Sequence, residues 1–325
     1  MQGSLQGEYV RRSLDLRSWE AATDLVRSWE SSGKLGVKRV APPAISGAID
    51  QFLADAKARD LRDSSIRKYR RLLVGEFFPF CCSRNIGALN RLTTDVLREF
   101  RESLNHAAVT QQKKLECLRA FLTFCQQSDW ISSNPSKGIK FPRVRRKQVR
   151  PFTAGELQSL LDACDEYRGD GQRLRAMILL LRATGLRIAD AVALSRDRVK
   201  NRRLFLYTSK TGVPVWCPLP EDVVEALDGL SGETHFFWSG NGELKSAIED
   251  WRRRLIGVAA LAKVDNAHFH RFRHTFSTSL LEKGVPVEMV ATLLGNTPAV
   301  VMKHYAAFVE SRQRAIEVAV RNAWV

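Results

Sequence analysis

Between Ile45 and Trp130 apolar side chains recur at three- and four-residue intervals and never settle into alternation, so this stretch is committed to packed helices. One candidate helix carries Ile49, Phe52, Leu53 and Ala56. A second starts near Ser64 and Ser65, a good N-cap pair, and runs through Ile66, Tyr69, Leu72, Leu73 and Phe77. A third follows Thr93 and Thr94 with Val96, Leu97, Phe100 and Leu104, and a fourth carries Leu115, Leu118, Phe121, Leu122 and Cys125. Ahead of them, residues 7–14 have the alternating character of a strand, and Trp19 to Trp29 reads as a helix.

A boundary follows. Asn134-Pro135 ends the last of these helices, because a residue before proline is pushed out of the helical region. From Lys137 to Arg150 there are seven basic residues and no acidic one. A second helical region opens at Thr153, where Thr153 and Glu156 form a capping box ahead of Leu157, Leu160 and Leu161. Arg203–Thr208 and Val213–Cys217 read as two strands joined around Lys210-Thr211-Gly212, and the remainder is mostly helical. The expected fold is therefore mainly α with a small β-hairpin or sheet. Its expected parts are an accessory segment over 1–40, a helical domain over 41–135, a basic linker over 136–150 and a second domain over 151–325.

Charge narrows the class of partner. Lys and Arg number 51 against 35 Asp and Glu, leaving +16. A surplus of that size favours a polyanion such as a nucleic acid. The six cysteines form no CxxC pair and have no histidine at zinc-ligand spacing. No apolar leader stands at the N-terminus, and the longest aliphatic run, Ala176 to Leu181, is far short of the ~20 residues a membrane span needs. The expectation is a cytoplasmic protein with no membrane partner.

The residues that point to chemistry are charged groups in segments otherwise apolar enough to be buried. Arg187 follows Thr184-Gly185-Leu186, with Asp190 three residues on. His270, Arg273 and His274 share one face of a helix that continues into Phe276, Leu280 and Leu281. Leu294-Gly295-Asn296 comes next, and Tyr305 follows nine residues after Asn296. Charges near a core need partners or a ligand. Arg187 alone would suit an ion pair with Asp190. With Arg273 and Lys210 beside it, a site for a phosphodiester explains the set better. His270 and His274 stand at zinc spacing, but Arg271 occupies the place of the glutamate and no third ligand is apparent, so no metal and no other cofactor is expected.

These segments resemble the motifs of the tyrosine recombinase family, which includes phage integrases and the Xer chromosome-dimer resolvases. Thr184-Gly185-Leu186-Arg187 with Asp190 resembles its first arginine motif. Ser209–Gly212 between two strands resembles the hairpin that presents a catalytic lysine. His270-Arg271-Phe272-Arg273 resembles the HxxR box, and Leu294-Gly295-Asn296 with Tyr305 resembles the last box and its nucleophile. Residues 44–130 look like the family's helical core-binding (SAM-like) domain, and the second domain like its catalytic domain.

The resemblance implies a site-specific recombinase or integrase acting through a 3′-phosphotyrosine. Its catalytic residues would be Arg187, Lys210, His270, Arg273, Asn296 and Tyr305, supported by Asp190 and His274. Arginine forks suit the nonbridging oxygens of the phosphodiester, a lysine suits protonation of the departing 5′-oxygen, and the tyrosine becomes covalently joined to DNA. Energy stored in that bond removes any need for ATP. The sequence departs from the family at Asn296, where His or Trp is usual. An asparagine amide still donates a hydrogen bond but is shorter than Trp and cannot brace the site by apolar packing. The competing reading is a noncatalytic DNA-binding protein on a degenerate recombinase scaffold. A simple DNA relaxer is a further reading within the enzyme class.

The expected partner is double-stranded DNA, with a homo-tetramer in the synapse. Candidate DNA contacts are Arg67, Lys68, Arg70 and Arg71 in one cluster and Gln111, Gln112, Lys113 and Lys114 in another, where the glutamines are able to read base edges. Arg143, Arg145, Arg146 and Lys147 in the linker complete the set. Ile316, Ala319, Val320 and Trp324 give the tail helical spacing, suited either to its own domain or to a neighbouring subunit. Residues 1–40 are read as the remnant of an arm-type segment, with the start of the chain absent.

Overall fold

The computed structural model describes residues 1–5, 7–11, 13–14, 16, 18–32, 42–144, 149–232, 234–304, 317–318 and 320–324. The chain divides into two compact units, Met1–Arg146 and Lys147–Val325. Tyr305, Arg145, Arg146, Lys147, Ile316 and Ala319 lie outside the described residues.

In the first unit β1 (Gln2–Leu5) and β2 (Glu8–Arg11) form an antiparallel hairpin, with Leu5 opposite Glu8 and Gly7 at φ +88°. A single strand was the expectation from sequence, since Gln2–Leu5 carries no apolar alternation to announce the partner. Then come α1 (Trp19–Ser32), α2 (Ile45–Ala58), α3 (Asp63–Leu72), α4 (Phe78–Ser83), α5 (Thr94–Ser103) and α6 (Ala108–Gln127). Phe52, Phe77, Phe100 and Phe121 are buried at the centre, packed edge to face.

Two local readings shift. The helix expected to be capped by Ser64 and Ser65 starts a residue earlier, at Asp63, so the serines sit in its first turn and Asp63 supplies the favourable negative charge there. That helix also does not end at Phe77. Leu73–Phe77 forms a π-turn that carries it into α4, where Pro79 stands. A proline ring collides with the carbonyl four residues back in a regular helix, and the widened turn relieves that collision. The helix expected after Thr93 and Thr94 starts at Thr94, and Thr93 caps it, its side chain accepting from the Val96 amide.

The residues after Asn134 pack onto this unit rather than leaving it. The Asn134 side chain accepts from the Ser136 amide at 2.9 Å and the Ser136 hydroxyl at 2.6 Å. Arg119 on α6 donates to the carbonyls of Ser136 and Ile139 and lies 4.1 Å from the centre of the Phe141 ring. Ile139 is buried. The first part of the basic stretch is thus held by an arginine of the preceding domain.

The second unit runs α7 (Ala154–Glu166), α8 (Gly171–Thr184), α9 (Ile188–Val192), β3 (Val199–Lys200), β4 (Arg203–Tyr207), β5 (Pro214–Pro218), α10 (Glu221–Asp228), α11 (Leu244–Leu261), α12 (Phe269–Glu282), α13 (Val287–Leu294) and α14 (Pro298–His304). The three strands form one antiparallel sheet in the order β3-β4-β5. Helix α8 is apolar nearly all round, with Leu174 and Ala176–Leu181 buried, and α7, α10 and α12 pack about it. Among the described residues no helix is long and apolar enough to cross a membrane.

The capping box at Thr153 forms as expected and is tied to α12 by Arg271. This guanidinium, 8% exposed with the rest of its residue, donates to the carbonyls of Arg150, Asp265 and Pro151 and to both carboxylate oxygens of Glu156, at 2.7 and 2.8 Å. Partial burial disfavours the ionised Glu156, but the Thr153 amide and the Arg271 guanidinium outweigh it, so the carboxyl titrates below the usual range. A carboxyl depressed in the folded state adds stability above its unfolded pKa and loses it as pH falls through the folded value. Arg271→Leu should therefore cost about 2–3 kcal/mol in urea denaturation at neutral pH. The difference between variant and wild type should shrink as pH is lowered below about 4.5; a gap that stays constant down to pH 3 would refute the role given to this pair.

Candidate active site

The end of α8 is where the motifs meet. Gly185 closes the helix at φ +60°, and a Cβ there would stand 2.5 Å from Phe276 and 2.9 Å from Leu294. Both the dihedral and the space demand glycine, and its absence of a side chain lets α12 and the end of α13 close onto α8. The chain then turns at once, placing Arg187 at the N-cap of α9.

Arg273 projects from α12 into this junction and is 2% exposed. It donates from Nη1 to the Gly185 carbonyl at 2.9 Å and from Nη2 to the Leu294 carbonyl at 2.7 Å. Those carbonyls end α8 and α13, where the helix dipole is negative, so the cation is favoured and the plane of its fork is fixed. On the same helix His270 is exposed and His274 buried, their rings edge to face at 4.9 Å. The helix is capped by His268, whose Nδ1 accepts from the Arg271 amide. Burial, with the nearby Arg271 charge, lowers the His268 pKa, which keeps that nitrogen an acceptor.

Arg187 meets the last motif directly. Its Nη2 donates to Asn296 Oδ1 at 2.9 Å. A guanidinium only donates, so the amide atom facing it is the oxygen, and the Asn296 NH2 points elsewhere with two N–H to offer. Gly295, at φ +55°, caps α13 and hands the chain to Asn296, whose amide bonds back to the Ala291 carbonyl. The asparagine thus braces the site by a hydrogen bond to the arginine, where a tryptophan would do so by packing.

Asp190 links the arginine to the lysine hairpin. It is buried, its Oδ1 accepts from the Ser209 backbone amide at 2.7 Å, and its Oδ2 lies 4.0 Å from Arg187 Nη1. Lys210 follows Ser209 on the exposed turn between β4 and β5. The turn is closed by Gly212 at φ +67° and by a 2.7 Å contact between the Thr208 and Thr211 hydroxyls. The Thr211 hydroxyl also reaches the Gly295 carbonyl at 3.5 Å, and a Cβ on Gly295 would come within 2.9 Å of Thr208. Arg187 Nη1 and Asp190 Oδ2 are buried without a hydrogen-bond partner among the described residues. Buried polar atoms normally find partners, and Arg187 Nη1 keeps donors that a bound anion could take. Two fixed guanidinium groups suit an anion with several oxygens, such as a phosphodiester.

Arg187, Asp190, the Lys210 turn and Asn296 are therefore linked by short polar contacts, and Arg273 is anchored beside them on the Gly185 and Leu294 carbonyls, on the helix that also carries His270 and His274. Among the described residues no group of three His, Cys, Asp or Glu converges as metal ligands would. In the first unit Arg67, Lys68, Arg70 and Arg71 are exposed on α3, and Lys113 on α6 and Arg143 in the stretch after it are exposed too. Lys114 instead pairs with Glu76 at 2.5 Å, Gln111 donates to the Leu104 carbonyl, and Gln112 to Glu116. Sequence reasoning missed Arg271, Thr211 and the Ser209 amide. Only Arg271 left a signal, as a second arginine in the first turn of a helix whose other face is apolar.

Residues 150–311 match the Phage integrase family. A tyrosine recombinase XerD of Rickettsia bellii (strain RML369-C) is 25% identical over 278 residues, covering 78% of this chain and 90% of its own. A tyrosine recombinase XerC of Mycobacterium sp. (strain KMS) is 26% identical over 300 residues, covering 84% and 97%. In three dimensions the chain is similar to a lambda integrase dimer bound to a COC′ core site, with a TM-score of 0.65 at 17% identity, covering 92% of this chain and 89% of that one. The motif order and the family match agree: this chain belongs to the tyrosine recombinase family of DNA breaking and rejoining enzymes.

Proposed function

We propose that the chain is a cytoplasmic site-specific recombinase that cuts and rejoins double-stranded DNA through a 3′-phosphotyrosine on Tyr305. The observation that carries this reading is Arg187 bonded to Asn296 next to the carbonyl-anchored Arg273, with Arg187 Nη1 buried and lacking a hydrogen-bond partner among the described residues. Arg187 and Arg273 would hold the nonbridging oxygens of the scissile phosphate, which gain negative charge toward the transition state. Tyr305 attacks phosphorus, the bond to the 5′-oxygen breaks, and Lys210 gives that oxygen its proton. His270 hydrogen-bonds the phosphate or assists loss of the tyrosine proton, while His274 supports that helix face from the core. Attack of a 5′-hydroxyl on the phosphotyrosine reverses the step, on the same strand or on another duplex.

Asp190 positions the lysine through the Ser209 amide and balances the Arg187 charge. The exposed bases of α3, with Lys113 and Arg143, are the best placed of the candidate backbone contacts, and Arg145, Arg146 and Lys147 extend them. The first unit would serve as the core-binding domain and the second as the catalytic domain, working as a tetramer in the synapse.

A nicked suicide substrate carrying the cognate site should trap wild-type protein as a covalent adduct, and Tyr305→Phe should abolish the adduct while leaving affinity for the site within about twofold. Binding without any adduct from the wild type would instead identify a noncatalytic DNA-binding protein. In the same assay Asn296→Ala should slow cleavage on the order of 10²-fold, the effect of losing one charge-stabilising donor. Asn296→His should equal or exceed wild type, and a slower His variant would contradict the donor role assigned to the amide.

A further inference from the structure

The outer face of the small sheet carries a feature the cleavage chemistry does not use. Leu204, Leu206, Val215 and Cys217 point into the core, so by alternation Arg203, Phe205 and Tyr207 of β4 share the opposite face with Pro214, Trp216 and Pro218 of β5. Phe205 pairs directly across from Trp216, with ring centroids 4.2 Å apart, and Tyr207 meets Phe205 edge to face at 5.3 Å. Tyr207 and Trp216 are each 62% exposed. Three aromatic rings joined through Phe205, the outer two largely in water, form an apolar platform that folding does not require.

The surroundings specify what the platform takes. From Arg198 to Pro220 the chain has five basic residues and no acidic one. Arg198 pairs with Asp197 and Arg202 with Glu221, whereas Lys200 and Arg203, opposite each other on β3 and β4, have no ion pair among the described residues. The rings therefore lie between two cations at one end of the strands, Arg203 and the Lys200 that also acts on Asp197, and Lys210 at the other, on a surface suited to a negatively charged chain that also presents aromatic faces. Tyr207 is three residues from Lys210 on the same strand and turn. Given the reading above, Lys210 addresses the scissile phosphate, so the platform borders the cut strand. Exchange between duplexes requires bases beside the cut to leave their partners before pairing with new ones.

We propose that Trp216 and Tyr207 form a stacking platform for unpaired DNA bases next to the cleavage point, with Lys200 and Arg203 holding the adjoining phosphates. Stacking of this kind tolerates any base and leaves paired DNA unaffected.

The test measures binding of the full-length protein to a fluorescent oligo-dT strand and to a duplex of the same length by anisotropy over a range of salt. Trp216→Thr with Tyr207→Thr, both residues suited to a strand, should weaken single-strand binding by at least fivefold, and up to about 150-fold if one base is stacked. Duplex affinity should change by less than about twofold, with the salt dependence of both unchanged, since no phosphate contact is lost. Trp216→Phe should keep most of the single-strand affinity. Independently of any variant, photo-crosslinking of an oligonucleotide containing 5-bromodeoxyuridine to the wild type should map to residues 203–218.

Equal loss on both DNAs, unchanged single-strand affinity, or crosslinks only elsewhere would overturn the proposal. So would a fall in sedimentation mass in the double variant with unaltered single-strand binding, which would make the platform a protein interface. The suicide-substrate assay separates the two readings: a Trp216 effect without a Tyr305 adduct would leave the platform standing and remove the recombinase reading, and the reverse would remove only the platform.

Discussion

Arg273 is the interaction on which the rest of the second unit's site depends. A guanidinium buried to 2% exposure is tolerable only where its donors meet oriented acceptors, and it finds them in the terminal carbonyls of α8 and α13. One side chain thereby caps two helices at once. Because it springs from a third helix, α12, it also sets the distance among all three. The arginine proposed to bind phosphate is thus held in place by the backbone of the elements that carry its fellow site residues, Arg187 after α8 and Asn296 after α13.

The junction has little slack. Gly185 leaves no room for even a methyl group between α8 and the α12–α13 pair, and Gly295 does the same between α13 and the β4–β5 hairpin. Each has a positive φ, so a side chain would be strained twice over, by dihedral and by collision. Close approach at these two points lets short polar bridges span the site: Arg187 to Asn296, Asp190 to Ser209 and Thr211 to Gly295. Binding phosphate in such a frame would require little reorganisation, the condition under which fixed charges contribute most to a transition state.

What could be seen in the sequence was whatever depends on neighbours along the chain. The capping box at Thr153, the helix after Thr93 and the hairpin around Gly212 follow from local spacing and are present. The motif residues were visible because charge amid apolar helix is conspicuous. What escaped depends on distant contacts. The role of Arg119 as a clamp for residues 136–141 needs the return path of the chain. Lys114 and Gln111 looked like surface groups until Glu76 and the Leu104 carbonyl were found beside them. The β1 strand has no periodicity of its own, and the π-turn before Pro79 is a response to a collision that no propensity encodes.

The link from Asp190 to the lysine hairpin passes through a main-chain N–H and not through a side chain. Position 209 is exposed, and its hydroxyl takes no part in that bond. The lysine is therefore fastened in a way that is blind to which residue precedes it, so every substitution at 209 except proline leaves the fastening intact. Proline alone, having no N–H, would release the hairpin while every named side chain of the site stayed in place. A functional contact of this kind is written in the backbone, where comparison of side chains does not register it.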